Sequence, residues 1–127
     1  MVSVSRNYLI LDVFSALPGI TYKNMFGGCC FYKDGIIFAC IADGKLYFKA
    51  DAETRSLFDT YESSQFVYES KHHKITPMPY WELPEQILED QEQLKTWIEA
   101  SVAASLRLRK KHKVKSRIVQ TLPSLIN

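Results

Sequence analysis

Three cysteines supply the most reactive side chains in this sequence of 127 residues: Cys29, Cys30 and Cys40. A cysteine acts as a nucleophile or metal ligand through its thiolate, which forms readily beside a histidine or another positive group. The count is odd and does not match the disulfide frameworks of small secreted domains, so we predict reduced thiols. Asp12 interrupts the N-terminal apolar run, and no run approaches the roughly 20 residues that cross a bilayer. We therefore predict a cytoplasmic protein without a membrane partner.

Two adjacent histidines, His72 and His73, lie between lysines at a predicted hairpin tip. Neighbouring residues of a strand point to opposite faces, and no Cys-x-x-Cys or His-x3-His spacing accompanies them. A solvated loop therefore explains them better than a metal site does. Gly27-Gly28 likewise lacks the Lys-Ser/Thr that follows a phosphate-binding loop, which favours a simple turn. We predict no metal ion, no cofactor and no catalytic residue.

The basic residues are concentrated near the end of the chain. All 14 aspartates and glutamates precede residue 107, together with only 9 of the 16 lysines and arginines. The other basic residues follow closely: Arg107, Arg109, Lys110, Lys111, Lys113, Lys115 and Arg117. On a helix they would surround the axis, which permits attraction to phosphates without base-specific readout. The stretch is a candidate nucleic-acid contact, and the alternative is a solubilising helix end.

The elements that must position these groups begin with an amphipathic helix. Its apolar stripe at helical spacing comprises Ile10, Val13, Phe14 and Leu17. We expect Ser3 or Ser5 to cap the start of this helix and Pro18-Gly19 to end it.

From Ile20 to Ala50 the pattern changes to short apolar runs separated by Asp34-Gly35 and Asp43-Gly44. Asp-Gly is typical of two-residue hairpin turns, because both central residues need a positive φ. The block is therefore predicted to be an antiparallel meander. Its register follows from the innermost pairs, Lys33 with Ile36 and Ala42 with Lys45.

Counting along this register places Cys29 opposite Cys40 and separates two sheet faces. The face predicted to pack on the helices collects Cys30, Tyr32, Ile37, Ala39, Ile41, Leu46, Phe48 and Ala50. The other collects Cys29, Phe31, Lys33, Ile36, Phe38, Cys40, Lys45, Tyr47 and Lys49. Aromatic rings edged by lysines suit a contact surface, so the candidate protein interface is Phe31, Phe38, Tyr47, Lys45 and Lys49. Cys29 and Cys40 are interpreted as two small buried thiols, with a redox pair as the alternative.

Two more helices are predicted in the second half. Asp51 is expected to cap a helix that carries Leu57, Phe58 and Tyr61. Asp90 with Gln93 forms a capping box, and the long helix that follows carries Leu94, Trp97, Ile98 and Val102. This helix leads directly into the basic stretch.

Two strands are predicted between these helices, at residues 66–70 and 75–83. Pro77 and Pro79 remove two backbone donors from the second strand, which we expect at a sheet edge or with a bulge. Tyr80-Trp81 allows two interpretations, a stacking platform for bases or the closure of a core. No basic residue lies beside it, so core closure is favoured.

Several of these segments together resemble the N-terminal domain of the TfoX/Sxy competence regulators. The matching segments, in order, are Met25-Phe26-Gly27-Gly28, Asp34-Gly35, the run from Ile41 to Asp51, the run from Pro79 to Glu85, and Leu88-Glu89-Asp90. The motif positions to which the resemblance gives a structural role are Met25, Phe26, Gly27, Gly28, Asp43, Gly44, Tyr80 and Trp81. Cys29-Cys30-Phe31 departs from the family pattern after Gly28.

The resemblance implies a two-layer α+β fold of the type shared with secretion chaperones, with helices on one face of an antiparallel sheet. It also implies a partner in the transcription of competence genes for DNA transformation. Full-length relatives resemble co-activators with a second, helical domain, where this chain has a basic tail. We predict a TfoX-like domain at residues 1–111 and a basic and apolar tail at residues 112–127.

Three functions remain open at this point. The first is a non-enzymatic regulatory or adaptor domain that acts through protein contacts, including a homodimer. The second is a nucleic-acid-binding accessory protein that uses the basic stretch. A Cys-dependent or metal-dependent enzyme is the third, and it rests on Cys29, Cys40 and His73 alone because no triad or ligand spacing accompanies them.

Overall fold

The computed structural model of the chain describes the backbone of residues 2–25 and 28–121 and the side chains of residues 9–24 and 28–111. The helices are α1 (Val2–Ser15), α2 (Arg55–Asp59), α3 (Glu85–Leu88) and α4 (Gln91–Thr121). The strands are β1 (Ile20–Met25), β2 (Gly28–Lys33), β3 (Ile36–Ala42), β4 (Lys45–Lys49), β5 (Gln65–Glu69) and β6 (Ile75–Glu82). They form one antiparallel sheet in the order β1-β2-β3-β4-β6-β5, which confirms the predicted α+β meander.

The two Asp-Gly turns have the predicted geometry. Asp34 and Gly35 have φ of 50° and 82°, and Asp43 and Gly44 have 52° and 74°. Positive φ at both positions is the two-residue hairpin turn whose twist matches that of the flanking strands. The innermost pairs, Lys33 with Ile36 and Ala42 with Lys45, are confirmed. Of the predicted turn at Gly27-Gly28, Phe26 and Gly27 lie outside the described residues, and Met25 pairs with Gly28.

A β-bulge at Phe38 changes the register of the first hairpin. Tyr32 lies opposite Ile37, but the next residue of β2, Phe31, lies opposite Ala39, so Phe38 is an extra residue in β3. Beyond the bulge Cys30, not Cys29, lies opposite Cys40. The predicted pairing of Cys29 with Cys40 is therefore wrong, because a shift of one residue exchanges the faces of every side chain beyond it.

The same bulge corrects the two predicted faces. The residues after it lie as predicted, with Ala39, Ile41, Leu46, Phe48 and Ala50 in the core. The residues that precede Phe38 in the chain lie on the face opposite to the predicted one. Cys29 and Phe31 belong to the core, whereas Cys30, Tyr32 and Ile37 lie outside it. Phe31 and Phe38 are 1% and 0% exposed, so their prediction as interface residues is wrong.

One aromatic cluster joins α1 to the centre of the sheet. The ring of Phe14 lies 4.7 Å from that of Phe31, 5.7 Å from that of Phe38 and 6.3 Å from that of Phe48. Phe38 and Phe48 meet edge to face at 5.5 Å, a favourable geometry for aromatic pairs. The predicted stripe of α1 is therefore the buried one. α1 begins at Val2, so Ser3 and Ser5 lie inside the helix and the predicted caps are wrong.

The second half of the chain completes the sheet and the same core. β6 lies between β4 and β5 and carries a register irregularity against β5, so the predicted bulge is confirmed and the edge position is wrong. Phe58 of α2 packs edge to face on Trp97 of α4 at 4.9 Å. Asp90 caps α4 as predicted, accepting hydrogen bonds from the backbone N–H groups of Glu92 and Gln93. The reciprocal half of the predicted capping box is wrong, because the Gln93 side chain donates to the Asp90 carboxylate and the Asp90 N–H donates to Ile87. None of the helices described is both long enough and apolar enough to cross a membrane.

Asp51 connects the end of β4 to α4. Its carboxylate accepts hydrogen bonds from the N–H groups of Glu53 and Thr54 in the turn before α2. The N-cap of α2 itself is Thr54 and the helix ends at Asp59, so the predicted cap at Asp51 and the predicted extension to Tyr61 are wrong. Arg107 of α4 donates to both carboxylate oxygens, at 2.5 Å from Nε to Oδ2 and 3.1 Å from Nη2 to Oδ1. Arg107 Nε also lies 3.1 Å from Glu53 Oε2. The side chain of Asp51 is only 9% exposed, so its carboxylate is largely shielded from water, whereas Arg107 is 36% exposed.

Replacing Asp51 tests this connection through the dependence of stability on pH. The hydrogen bonds from Arg107 hold the pKa of Asp51 at about 2. A folded pKa below the unfolded value stabilises the fold above about pH 4, and the contribution is lost as the pH falls towards 2. We expect Asp51→Asn to lower the free energy of unfolding by about 1–2 kcal/mol at pH 7 and the difference to narrow below pH 4. Urea unfolding from pH 7 to pH 2 measures both.

The matched control is Asp59→Asn, which removes an ion pair with Arg55 that is 3.8 Å long and more than half exposed. Such pairs contribute little, so its effect should stay within about 0.5 kcal/mol at every pH. Equal effects of the two substitutions would contradict the assigned role of Asp51.

Neighbouring substitutions in β3 test the bulge. Phe38→Ala removes a fully buried ring and should lower the free energy of unfolding by about 3–5 kcal/mol. Ile37→Ala removes a half-exposed side chain on the opposite face and should have a clearly smaller effect. Phe38→Leu keeps most of the volume and should allow folding where Phe38→Ala does not. Without the bulge the order would reverse, and urea unfolding distinguishes the two cases.

Candidate functional site

The sheet face opposite the helices is the candidate site, and we call it the open face. One row of directly opposed residues crosses five strands: Lys23, Cys30, Cys40, Tyr47 and Glu82. Directly opposed residues of antiparallel strands project to the same side of the sheet. None of these residues belongs to the buried apolar cluster under the helices that the described side chains form. The row therefore lies on the side of the sheet away from α1 and α4.

Aromatic rings and lysines flank this row. Tyr32 lies two residues from Cys30 in β2, and Lys49 lies two residues from Tyr47 in β4, so both share the open face with the row. Tyr80 lies opposite Lys49 and therefore projects to the same face. Lys49 Nζ lies 5.7 Å from the centre of the Tyr80 ring, and Lys23 Nζ lies 5.8 Å from that of Tyr32. These distances are those of cation–π contacts, so the amphipathic rings and the lysines hold one another in place.

The side of the open face nearest β5 is also aromatic. The ring of Phe66 lies 5.1 Å from that of Tyr47, and both rings are partly exposed. Lys45 Nζ lies 4.0 Å from Glu82 Oε1 at the edge of the same face. Burial raises the pKa of Tyr47, with smaller contributions from Glu82 and Asp43. Tyr47, Lys45 and Lys49 thus remain from the predicted interface, and Phe66, Tyr32 and Tyr80 extend it.

Two thiols occupy the centre of the open face. The sulphur atoms of Cys30 and Cys40 are 2.7 Å apart, and both cysteines are free. Burial, then the hydrogen bond with Cys30, raises the pKa of Cys40 above its ordinary value. Burial also raises the pKa of Cys29 on the core side. Raised values lower the thiolate fraction at neutral pH, which is the opposite of what a nucleophilic cysteine needs.

The alternation of β6 separates Tyr80 from Trp81. Tyr80 lies on the open face, whereas Trp81 lies opposite Phe48 and packs against the core. Arg55 covers the Trp81 ring at 5.1 Å from its centre. The two rings do not form one platform for bases, and Trp81 takes the core position that the sequence favoured.

The histidines lie at the tip of the β5–β6 hairpin. His73 has a φ of 60°, and its Nδ1 lies 3.1 Å from Glu69 Oε1 in a largely exposed contact. Among the described side chains, those of residues 9–24 and 28–111, no three histidines, cysteines, aspartates or glutamates cluster as ligands for a metal ion.

The basic stretch divides into residues with different roles. Arg107 is bound to Asp51 and Glu53, so its charge is neutralised within the fold. Arg109, Lys110 and Lys111 are exposed on α4. The helix continues to Thr121, but the side chains of Lys113, Lys115 and Arg117 lie outside the described residues. Arg107 is therefore removed from the candidate nucleic-acid contact, and the boundary after residue 111 stays a prediction.

Sequence reasoning missed Cys30, Tyr32 and Tyr80 as parts of the open face. The first two were placed on the wrong face because no glycine or proline marks the bulge at Phe38. Tyr80 was treated as one unit with Trp81, although alternation along a strand separates neighbours. That alternation was the signal that would have identified it.

Comparison with known proteins identifies the family of this chain. A search of curated protein sequences gave no match to this chain. The model of the TfoX N-terminal domain family matches residues 12–105, well over half of the chain. The matched span runs from α1 through the Asp43-Gly44 turn and β6 into α4, so it includes every strand of the sheet. The chain therefore belongs to the TfoX N-terminal domain family.

Proposed function

We propose that this chain is a non-enzymatic regulatory or adaptor domain that acts through protein contacts on the open face. The observation that carries the proposal is the group of half-buried aromatic rings and lysines on a sheet face that the described helices leave uncovered. Tyrosine and its neighbours supply large contact areas with little loss of side-chain entropy, as in many protein interfaces. Raised thiol pKa values favour this function over a cysteine-dependent enzyme.

Charge and ring chemistry favour one class of partner. Lys23, Lys45 and Lys49 lie on or beside the row, where Glu82 is the acidic residue and is already next to Lys45. Burial lowers the pKa of Lys49, but an acidic group placed beside it would favour its charged form. We infer a protein segment that presents apolar side chains together with carboxylates.

Family membership supports a more specific version of the proposal. The resemblance to TfoX/Sxy regulators suggests that the partner belongs to the transcription machinery and that the process is competence for DNA transformation. A second copy of the chain is the alternative occupant, because the open face also contains both aromatic rings and opposite charges. Measuring the oligomeric state distinguishes a homodimer from a different partner.

A crosslinking experiment tests the open face. A photoreactive residue replaces Tyr47 in one variant and Tyr22 in another, in cells that express the chain. Tyr22 lies opposite Phe31 on the helix side and is 55% exposed, so it is a matched control. We expect capture of one defined protein from position 47 only.

Affinity for the captured protein, once it is purified, completes this test. Tyr47→Ser should weaken binding about tenfold or more, because an interface tyrosine at the centre of a contact contributes at least about 1.4 kcal/mol. Tyr22→Ser should leave the affinity within about twofold. Thermal unfolding confirms that both variants are folded. Equal affinities of the Tyr47→Ser protein and the unmodified chain would remove the open face as the contact.

A second candidate function is nucleic-acid binding through α4, favoured by the exposure of Arg109, Lys110 and Lys111. Replacing all three by Gln leaves Arg107 bound to Asp51 and preserves the fold. Each phosphate contact contributes about 0.9 to the slope of log affinity against log salt on duplex DNA. We expect the triple variant to lose about 2–3 units of slope. Lys71→Gln with Lys74→Gln, at the exposed hairpin tip, is the control. Unchanged slopes in both variants would exclude phosphate contacts by Arg109, Lys110 and Lys111.

A further inference from the structure

The pair formed by Cys30 and Cys40 has a geometry that the sequence register did not predict. The two residues lie directly opposite each other in β2 and β3 because Phe38 bulges out of the pairing. Their sulphur atoms are 2.7 Å apart. Opposed residues of antiparallel strands have Cα atoms about 4.5–5.5 Å apart, within the range that a disulfide spans.

We propose that Cys30 and Cys40 are a reversible thiol–disulfide couple, in which oxidation links β2 to β3 on the open face. The oxidant is a low-molecular-weight disulfide. One cysteine thiolate attacks a sulphur of this molecule and releases one small thiol, which leaves a mixed disulfide on the protein. The second cysteine then attacks the protein sulphur of that mixed disulfide and releases the second small thiol. The two protons of the cysteines end on the two released thiols, so atoms and electrons balance.

The third cysteine, Cys29, lies where it cannot take part in the couple. Cys29 is adjacent to Cys30 in sequence, but its side chain points to the other face, opposite Ile41 and within the apolar core. A disulfide between Cys29 and Cys40 would have to cross the sheet, whereas Cys30 needs only a short movement of its side chain. The structure therefore predicts that Cys30, and not the adjacent Cys29, forms the disulfide with Cys40.

The surroundings of the couple make it slow and selective. Cys30 is 8% exposed and Cys40 is partly buried, so bulky oxidants have little access. Burial, then the neighbouring thiols of Cys40 and Cys30, raises the pKa of Tyr80. A raised pKa at Cys40 lowers its thiolate fraction and hence the rate of exchange. The couple is suited to sustained changes in redox conditions. The proposed thiol–disulfide couple does not depend on the proposed protein contacts.

Thiol counting with oxidised glutathione tests the couple in the full chain. After incubation, unreacted thiols are alkylated in denaturant and the intact mass is measured. We expect two of the three thiols to disappear, so that the oxidised protein carries one alkyl group where the reduced protein carries three, with no glutathione attached. Dithiothreitol should restore all three. The Cys29→Ala protein should form the same linkage, and the Cys30→Ser protein should form no internal linkage.

Three results would overturn the proposal. The first is a linkage that is lost in Cys29→Ala and retained in Cys30→Ser, because that is the register without the bulge. Another is glutathione retained on Cys30 or Cys40 without an internal linkage. The last is a linkage that forms only when the protein is unfolded in urea, since folded strands would then prevent rather than promote the reaction. The incubation with oxidised glutathione is therefore repeated in urea. If the unfolded protein forms the linkage and the folded protein does not, the proposal is wrong.

Discussion

The extra residue in β3, Phe38, is the constraint on which the rest of the structure depends. Its ring is fully buried between those of Phe14 and Phe48, and the neighbouring Ala39 is buried on the same side. The bulge therefore lets two consecutive residues of β3 face the helices. As a result, Phe31 of β2 packs in the core under α1, and the neighbouring Cys30 lies on the open face. The aromatic core and the thiol pair are thus two consequences of one local irregularity.

A second constraint joins the sheet to the long helix. Asp51 closes the turn into α2 and at the same time accepts two hydrogen bonds from Arg107, near the last buried residues of α4. The carboxylate holds this turn and is also one half of an ion pair with Arg107, and these hydrogen bonds explain its low pKa. Arg109 to Lys111 follow this contact directly and are exposed. Among the described side chains of α4, the exposed basic residues therefore begin directly after the contact with Asp51, and Arg107, the first arginine of the basic stretch, belongs to the fold.

Local chemistry made most of the fold predictable. The Asp34-Gly35 and Asp43-Gly44 turns and the Asp90 cap depend on residues within a few positions of each other, and their predictions are confirmed. The position of β6 between β4 and β5 depends on contacts distant in sequence, so the prolines alone indicated only that the strand was unusual. The bulge at Phe38 has no local signal, because a phenylalanine fits a regular strand equally well. An error of one residue in the register was enough to place Phe31 on the wrong face and to pair Cys29 instead of Cys30 with Cys40.

The family resemblance and the open face carry different information about this chain. Asp43 and Gly44 form a turn, Gly28 begins β2, and Trp81 packs in the core, so these matching positions build the scaffold. A fold shared through such positions does not specify what the domain binds, because function depends on the side chains that the scaffold displays. Here the displayed groups are rings, lysines and a protected thiol pair. Lys45, Tyr47, Lys49 and Tyr80 belong to both sets, whereas Cys30, Cys40 and Tyr32 belong to the open face alone. Under the proposed function, recognition depends on the side chains of the open face, whether or not they lie in the segments that identify the family.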